Sequence, residues 1–379
     1  MQLRFQQSQV ARQTLWRHWF HAKGLSNPES AECDLDPPMS IRRLILPGWQ
    51  IPPGWGHAGQ LFLAVAFALM SAGCASNRPA PLVVQTPTEA PGEKNPGEYL
   101  NLKLVTYNIW GLPWWLNGAR PSRYGQIAHE LERLDPDIIL LQEAWTPKAR
   151  KSAPRDGRWS IARGAGQHLI FQQNGLLTVS RWPIIGGAFY PFSHAAFPDR
   201  LVKKGALKVT LKLPDGQVLN VWNVHFQDGG PFKVRQSQIG ELIARVNEAE
   251  DGQIADLVGG DFNCTPESLS FRELETALGP SVQKLGGIQP FVTWDGLSSK
   301  PGAGQTLDYI FVRARVPLEK MEAVPHVAFY ARNPRERLSD HFGVEAVVSL
   351  GPTPVLASLP TPISVSSALP RAVFKRTSE

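Results

Sequence analysis

The chain is poor in cysteine, in charged residues and in long apolar runs. Of its 379 residues, three are cysteines and 19% are charged, whereas 42% are hydrophobic. This hydrophobic content is enough to bury a sizeable core, as one large domain or two small ones, so the chain is predicted to be globular. The apolar run at residues 61–70 spans about half of the roughly 20 residues that a membrane helix needs, which disfavours a retained transmembrane anchor.

A secretion signal explains this run better than an ordinary buried segment does, although the latter stays an alternative. Small residues at 71–74 and a polar, Pro-rich stretch follow it, which is the order found at a signal-peptide cleavage site. The segment ending at Cys74 resembles a bacterial lipobox, with Ser71 where Leu is usual. The resemblance implies cleavage before Cys74 and acylation of its thiol. Ala75 implies the outer membrane of a Gram-negative cell envelope.

Five segments are predicted along the chain. They are a doubtful N-terminal extension at 1–38, a lipoprotein signal peptide at 39–74, a Pro-rich linker at 75–98, a catalytic domain at 99–350 and a disordered tail at 351–379. The first boundary is set by Met39, which stands just ahead of Arg42-Arg43 and is the expected translation start.

Removal of the signal segment changes the cysteine count and the charge. Cys33 and Cys74 lie before or at the expected cleavage site, so Cys264 alone remains in the folded part and no disulfide is predicted. The first 74 residues hold six basic and four acidic residues, so the formal charge falls from +6 to +4. This mild positive charge suits an anionic surface or a phosphate substrate, but it does not by itself indicate a nucleic-acid binder.

Strand and helix patterns alternate within the catalytic segment. Strands are predicted at 102–106, 138–141, 207–213, 218–224, 255–258, 307–312 and 344–350, and helices at 124–134 and 239–246. A turn at Pro214-Asp215-Gly216 joins two of the strands as a hairpin. Hairpins mixed with crossover helices predict a layered α/β domain with mixed sheets.

Polar side chains stand at the ends of these strands. The set comprises Asn108, Glu143, His225, Asp261, Asn263, Asp308, Asp340 and His341. Taken singly, each is explained at least as well by a turn, a helix cap or a hydrogen-bonded core position. Because strand ends at one edge of a sheet converge, their joint occurrence predicts one pocket.

The residue types in this set suit metal-assisted hydrolysis of a phosphodiester. Magnesium prefers hard oxygen ligands, for which Glu143 and Asn108 are the first candidates. A metal together with amide and imidazolium donors offsets the charge that grows on the phosphate, and Asp261, Asn263 and His225 suit that role. An imidazole held by a carboxylate is a suitable base for the attacking water near neutral pH. We expect His341 with Asp308 to form this pair.

The motifs around these residues resemble the endonuclease/exonuclease/phosphatase superfamily over nearly all of residues 102–350. They are Thr106-Tyr107-Asn108, Gln142-Glu143, Asn223-Val224-His225, Gly260-Asp261-Phe262-Asn263, Leu307-Asp308-Tyr309 and Ser339-Asp340-His341. The resemblance implies a deoxyribonuclease-like, four-layer α/β sandwich of two packed mixed β-sheets flanked by helices. It also implies Mg²⁺, or Mn²⁺ in its place, held by Asn108 and Glu143 with Asp340 as a further ligand, and His341 as general base.

Further motifs are similar to the neutral sphingomyelinase branch of that superfamily. They include Trp110-Gly111-Leu112-Pro113, Asn174-Gly175-Leu176, Ser180-Arg181-Trp182-Pro183-Ile184, Lys204-Gly205 and His225-Phe226-Gln227 followed by Arg235 and Gln238. The Cys-Asp-Arg signature of inositol polyphosphate 5-phosphatases is absent around Asp308. The resemblance implies hydrolysis of a sphingomyelin-like phospholipid, with no obligate protein partner. A lipid-anchored nuclease acting on DNA or RNA is the first alternative, and a catalytically inactive binding lipoprotein is the second.

Aromatic residues in two segments bear on the choice between lipid and nucleic acid. The first group is Trp114 and Trp115 with Leu116, and the second is Phe189, Tyr190, Phe192 and Phe197. Exposed aromatic side chains favour a membrane interface. Packing of the same side chains inside the domain is an equal alternative.

Overall fold

A computed structural model describes eight stretches of the chain. They are residues 78–87, 100–114, 120–165, 174–248, 253–285, 292–296, 304–327 and 338–351. The predicted extension at 1–38, the signal peptide with Cys74, and residues 352–379 of the predicted tail lie outside these stretches, as do Trp115 and Leu116. Within the described stretches, no helix has both the length and the apolar character needed to cross a membrane.

Two β-sheets form the centre of the molecule. In chain order the strands are β1 Leu82–Gln85, β2 Leu100–Asn108, β3 Ile138–Gln142, β4 Ser160–Gly164, β5 Leu177–Ser180, β6 Ile184–Pro191, β7 Gly205–Lys212, β8 Val218–His225, β9 Gln253–Asp261, β10 Asp308–Ala314, β11 Leu318–Val327 and β12 Gly343–Leu350. The helices are α1 Arg123–Leu134, α2 Phe232–Asn247, α3 Leu269–Leu278 and the short α4 Val282–Leu285. Sheet one has the order β1-β4-β5-β3-β2-β12-β11, and sheet two has the order β10-β9-β8-β7-β6.

The sheets pack face to face and carry helices on their outer faces. Side chains such as Leu104 and Leu140 of sheet one meet Val209 and Val221 of sheet two in one buried cluster. A second cluster joins the outer face of sheet one to α1, and a third joins the outer face of sheet two to α2 and α3. Each sheet is therefore buried on both faces, which explains its long apolar runs. The predicted α/β sandwich is confirmed.

Helix α1 shows how the apolar spacing produces this packing. Tyr124, Ile127 and Leu131 recur at three- and four-residue intervals and are buried against sheet one, as expected of an amphipathic helix. The helix ends at Asp135, whose φ of 52° is left-handed. The predicted hairpin is also confirmed: β7 and β8 pair in antiparallel register, and Gly216 in their turn has a φ of 84°, which glycine adopts without steric cost.

Several elements have no counterpart among the predicted strands and helices: β1, β4, β5, β6, β11, α3 and α4. The Pro-rich segment that was expected to be a linker contributes β1, which pairs with β4 from Leu82 opposite Gly164 to Gln85 opposite Ile161. Four strand-forming residues between Pro81 and Pro87 are sufficient here because β1 is an edge strand, where proline is tolerated.

Candidate active site

The predicted polar residues lie at one edge of the sandwich, and both sheets contribute to them. Sheet one supplies Asn108 at the end of β2, Glu143 directly after β3, and the Asp340-His341 pair just before β12. Sheet two supplies His225 and Asp261 at the ends of β8 and β9, and Asp308 at the start of β10. The predicted convergence therefore occurs across two sheets rather than along one.

Strand register places Asp261 in the middle of the sheet-two residues. It lies opposite His225 on the parallel strand β8 and opposite Asp308 on the antiparallel strand β10. The preceding Gly260 has a φ of 150°, and a Cβ there would lie 2.0 Å from the carbonyl oxygen of Val224. Glycine is required at this position because a side chain would collide with the neighbouring strand.

Asn108 links the two sheets at the base of the site. Its Nδ2 donates to Oδ2 of Asp261 at 3.0 Å and to Oε1 of Glu143 at 3.2 Å. Its Oδ1 accepts the backbone N–H of Trp110 at 3.0 Å. The amide therefore holds carboxylates from both sheets at a fixed separation.

Glu143 has a carboxylate oxygen suited to a cation. Its backbone is left-handed, with a φ of 58°, and Oε2 is buried with no hydrogen-bond partner among the described residues. Burial and the nearby Asp340 carboxylate raise the pKa of Glu143 to about 7. A buried oxygen that lacks a donor and repels a neighbouring carboxylate fits a divalent cation, for which Asp340 and the amide of Asn108 are further candidate ligands.

A second group of ligand atoms lies beside the first. One such atom from each of Asp261, Asp308 and His341 lies within 4.8 Å of the others. The His341 ring, however, is already engaged, because its Nδ1 is 2.9 Å from Oδ2 of Asp308. We therefore favour Glu143 over this group as the centre of cation binding.

His341 and Asp308 form the predicted imidazole–carboxylate pair. Both are buried, and Nε2 of His341 lies 3.8 Å from Oδ2 of Asp261. Burial opposes protonation of His341, but the carboxylates of Asp308, Asp261 and Asp340 outweigh it and raise its pKa to about 10. The backbone N–H of Asp308 donates to Oγ1 of Thr293 at 3.0 Å, which fixes the position of the carboxylate.

His225 differs electrostatically from the sequence-based expectation. Burial, with the positive charge of Lys204 and His341, holds its pKa well below the usual range. Its Nε2 lies 3.6 Å from Oδ2 of Asp261, and its ring centroid is 6.2 Å from that of Trp145. The lowered pKa favours a neutral ring that can donate an N–H, whereas the sequence-based expectation was an imidazolium.

Asn263 lies beside Asp261 in a left-handed conformation, with a φ of 48°. Its backbone N–H donates to Oδ1 of Asp261 at 2.9 Å, and its Nδ2 donates to the carbonyl of Phe226 at 3.0 Å. These two bonds hold the 261–263 turn against the loop that follows β8.

Lys204 is a charged site residue that the chemical reasoning from strand ends missed. It is buried, and its Nζ contacts Oδ2 of Asp199 at 2.7 Å and the carbonyl of Phe226 at 2.9 Å. Its charge acts on Glu143, His225 and Asp261. The sequence signal for it was the Lys204-Gly205 motif, which is similar to the neutral sphingomyelinase branch but does not stand at the end of an apolar strand.

The aromatic side chains considered for a membrane interface differ in their exposure to solvent. Phe189 and Phe192 are buried, so the alternative of packing inside the domain applies to them: both side chains complete apolar clusters on sheet two. Trp114 and Phe197 are 61% and 51% exposed. Phe232, which the sequence analysis did not select, is 49% exposed at the start of α2.

Raised pKa values in the site predict how the stability of the metal-free protein depends on pH. Burial, with repulsion from Asp308, raises the pKa of Asp261 to about 7, similar to that of Glu143. The folded protein therefore keeps protons that the unfolded chain releases near pH 4, and His341 keeps its proton to about pH 10 instead of 6.5. For these groups the unfolding free energy should fall as pH rises from about 4 to 10, by up to roughly 1.4 kcal/mol per pH unit for each titrating group. His225, whose pKa is lowered from 6.5, opposes this fall below about pH 6.5.

Urea unfolding in chelator at pH 5, 7 and 9 measures this dependence. The carboxyl part of the loss should occur between about pH 4 and 7, and the His341 part between about 6.5 and 10. Asp308→Asn should reduce the change from pH 7 to 9, because it removes the largest favourable charge on the imidazolium. An unfolding free energy that rises from pH 5 to 9 would contradict these protonation states.

Sequence comparison identifies one family profile over most of the described region. The Endonuclease/Exonuclease/phosphatase family profile matches residues 105–341. The match begins within β2 and ends at His341, so it includes every predicted site residue except the lipidation site.

Curated relatives share modest identity with the chain. A candidate neutral sphingomyelinase of Drosophila melanogaster is 26% identical over 271 residues, covering 66% of this chain and 61% of the relative. An inositol phosphosphingolipids phospholipase C of Schizosaccharomyces pombe is 24% identical, covering 67% and 70%. A sphingomyelinase C of Bacillus cereus is 23% identical, covering 66% and 89%. The chain thus spans less than two thirds of the length of the Drosophila protein.

Solved structures confirm the fold. An endonuclease/exonuclease/phosphatase from Bacteroides vulgatus superposes with a TM-score of 0.53 at 20% identity, covering 66% of this chain and 99% of that one. Caenorhabditis elegans TDP2 superposes with a TM-score of 0.53 at 17% identity, covering 65% and 97%. At these identities the likeness establishes the architecture of two packed sheets.

Proposed function

The chain belongs to the endonuclease/exonuclease/phosphatase family, and we propose that it is a metal-dependent phosphodiester hydrolase. We propose further that it uses Mg²⁺ to hydrolyse a sphingomyelin-like phospholipid at the headgroup phosphodiester. One observation carries the chemical part of the proposal: the buried His341–Asp308 pair and the unpartnered oxygen of Glu143 lie at the same edge of the sandwich. Water attack in line with the leaving alkoxide is the reaction that this arrangement suits.

Each side chain has a distinct part in the proposed reaction. Mg²⁺, when bound at Glu143 with Asp340 and Asn108, would offset phosphate charge and neutralise Asp340, one of the three carboxylates that favour a protonated His341. His341 then takes a proton from the attacking water at Nε2, while Asp308 orients the ring through Nδ1. The proton bound at Nδ1 stays there, held by the 2.9 Å contact to Asp308.

Donors on sheet two would stabilise the charge that develops on the phosphate. His225 offers a neutral N–H, and Lys204 supplies a buried positive charge close enough to affect Asp261. Preorganised donors in a buried site stabilise such charge more strongly than water does, because they need no reorientation during the reaction.

A lipid substrate is supported by exposed aromatic side chains in segments that follow or contact the site residues. Trp114 lies six residues after Asn108, and Phe232 seven residues after His225. The Phe197 loop contacts the loop ahead of Phe232, since the backbone N–H of Ala196 donates to Oε1 of Gln227 at 2.8 Å. Exposed aromatic side chains partition favourably into the headgroup region of a membrane.

The charges near these aromatics suit a phosphate-bearing surface. Arg120, Arg200 and Lys233 are exposed near Trp114, Phe197 and Phe232 in sequence. Basic side chains close to a membrane favour association with anionic lipid headgroups. We also propose that acylated Cys74 tethers the catalytic domain to the cell envelope, which mass spectrometry of the mature N-terminus would test.

A substrate panel tests the proposed function. Purified protein with Mg²⁺ or chelator is assayed on sphingomyelin vesicles, plasmid DNA, inositol phosphates and a soluble aryl phosphodiester. We expect Mg²⁺-dependent release of the phosphorylated headgroup from vesicles, with little plasmid nicking. Nicking without lipid cleavage would assign a nuclease instead, and activity that persists in chelator would refute the metal-dependent mechanism.

Variants of the exposed aromatics separate membrane contact from chemistry. The triple variant Trp114→Ser, Phe197→Ser, Phe232→Ser should lose vesicle hydrolysis by roughly tenfold or more, since each aromatic contributes of order 1 kcal/mol or more on burial, and should keep its rate on the soluble phosphodiester. Ile185→Ser is the matched control, because Ile185 is also exposed but lies far from the site. Its neighbour Ile184 pairs with Leu211 near the C-terminal end of β7, whereas His225 pairs with Gly205 at the other end of that strand. Equal loss in this control would remove the support for a membrane-facing edge.

A further inference from the structure

One buried arginine outside the predicted set contacts two distant parts of the chain. Arg123, the first residue of α1, is 6% exposed. Its Nη1 donates to the carbonyl of Ile109 at 2.7 Å and also to the carbonyl of Leu338. Its Nη2 donates to the carbonyl of Trp110, and its guanidinium carbon lies 4.5 Å from the ring centroid of Tyr124. A single side chain thus binds main-chain groups from two segments.

These segments carry the sheet-one residues of the site. Ile109 and Trp110 directly follow Asn108, and Leu338 comes two residues before the Asp340-His341 pair. The β2–β12 ladder runs only as far as the pairing of Thr106 with Val344. Both segments therefore lie beyond the last ladder pair, and the described hydrogen bonds that join them to each other are made by side chains.

We propose that Arg123 is a positioning residue that fixes Asn108 relative to the Asp340-His341 pair and thereby shapes the cation site. The inference rests on the proposed metal-dependent function. Arginine suits this task because its planar fork presents several N–H donors in a fixed geometry, whereas lysine offers one rotating ammonium group. None of the described hydrogen bonds of Arg123 is to a catalytic side chain, so these bonds act through the backbone. Its positive charge also acts on Asp340, and a lysine at position 123 keeps that charge.

A second contact joins the same two segments independently. Oγ of Ser339 donates to the carbonyl of Asn108 at 2.7 Å, and the backbone N–H of His341 donates to the same Oγ at 3.3 Å. If Arg123 and Ser339 maintain one shared geometry, the effects of their substitutions should be coupled rather than additive.

The test compares Arg123→Lys, which keeps the charge but loses the fork, with wild type. Binding of Mn²⁺ alone, followed by electron paramagnetic resonance, should weaken by roughly tenfold, and kcat on the soluble phosphodiester should fall by roughly 10- to 100-fold with KM within about twofold. Arg133→Lys is the matched control, since Arg133 is exposed near the other end of the same helix. It should leave Mn²⁺ affinity and kcat unchanged.

Ser339→Ala and the double variant complete the test. Ser339→Ala should weaken Mn²⁺ binding in the same direction, and the double variant should lose less than the two single effects combined. If Arg123→Lys fails to fold, the Mn²⁺ affinity of Ser339→Ala alone tests the proposal. Mn²⁺ affinity within twofold of wild type in every folded variant would overturn the proposal. Because Mn²⁺ binding needs no turnover, this outcome is distinct from a wild-type protein that hydrolyses no phosphodiester.

Discussion

His341→Ala is expected to lower kcat by about 10³-fold, within the range of roughly 10²- to 10⁴-fold that general-base catalysis contributes. The ring is buried beside Asp308 at 2.9 Å, and no other described imidazole is paired in this way with a carboxylate at the site. Its removal leaves the attacking water without a proton acceptor. Initial rates on the soluble phosphodiester at saturating Mg²⁺, with thermal unfolding to confirm the fold, measure the effect.

Two further variants separate base catalysis from a general loss of structure. His129→Ala is the matched control, because His129 is exposed on α1 and should keep full activity. Asp308→Asn should also lower kcat, and combining it with His341→Ala should add little, since residues that act as one unit give non-additive losses. Activity of His341→Ala within a few-fold of wild type would rule out His341 as the base.

Glu143→Gln is expected to weaken Mg²⁺ binding by at least about 100-fold, more than the loss of an outer-shell partner causes. The same substitution should stabilise the metal-free protein at pH 8, because it removes a buried carboxylate whose pKa is raised by burial and by Asp340. At 100 times its dissociation constant a ligand stabilises by about 2.7 kcal/mol. Thermal unfolding with and without Mg²⁺ should therefore show a large shift for wild type and almost none for the variant.

Glu143→Gln should raise the stability of the metal-free protein and abolish the stabilisation by Mg²⁺, and this combination distinguishes loss of a cation ligand from damage to the fold. A variant that merely damaged the fold would unfold at a lower temperature both with and without Mg²⁺. Glu248→Gln is the matched control: Glu248 is exposed at the end of α2, where it pairs with Arg245, and its loss should leave the Mg²⁺ shift intact. An undiminished Mg²⁺ shift in Glu143→Gln would move the cation site elsewhere.

Much of the fold followed from local pattern. The strands around Leu104, Leu140 and Val221 are apolar because they are buried between the sheets, and that pattern predicts a strand wherever it occurs. The site residues were identifiable because buried apolar strands end abruptly in Asn108, His225 or Asp261, where packing alone would not select a polar side chain.

Other elements carried too little local information. Strand β6 contains Gly186 and Gly187 and exposes part of its length, so neither apolar alternation nor strand propensity marks it clearly. Strand β1 has four residues and depends on pairing with β4, whose residues stand about 78 positions later in the sequence than their β1 partners. Such strands form because a neighbouring strand offers unpaired backbone N–H and C=O groups. The local amino-acid pattern holds no information about that neighbour.

The charges within the site were the least predictable feature. Because His225 and Asp261 each end an apolar strand, the sequence predicts that they lie close together. The protonation of His225, however, depends on its burial and on the charge of Lys204. Arg123 stands directly ahead of the helix predicted at 124–134, and its proposed role depends on carbonyl groups from positions 109, 110 and 338. Properties of this kind arise from the three-dimensional arrangement alone.

The division of the site between the two sheets has a consequence for partly denatured forms of the protein. The bonds from Asn108 to Asp261 and from His341 to Asp308 both cross from one sheet to the other, as does the 2.8 Å bond from Gln142 to Asn223 beneath them. An expanded state that kept every strand but loosened the packing would have no assembled centre. On heating, turnover should therefore disappear before the far-ultraviolet circular dichroism of the strands changes, so activity reports on the distance between the sheets.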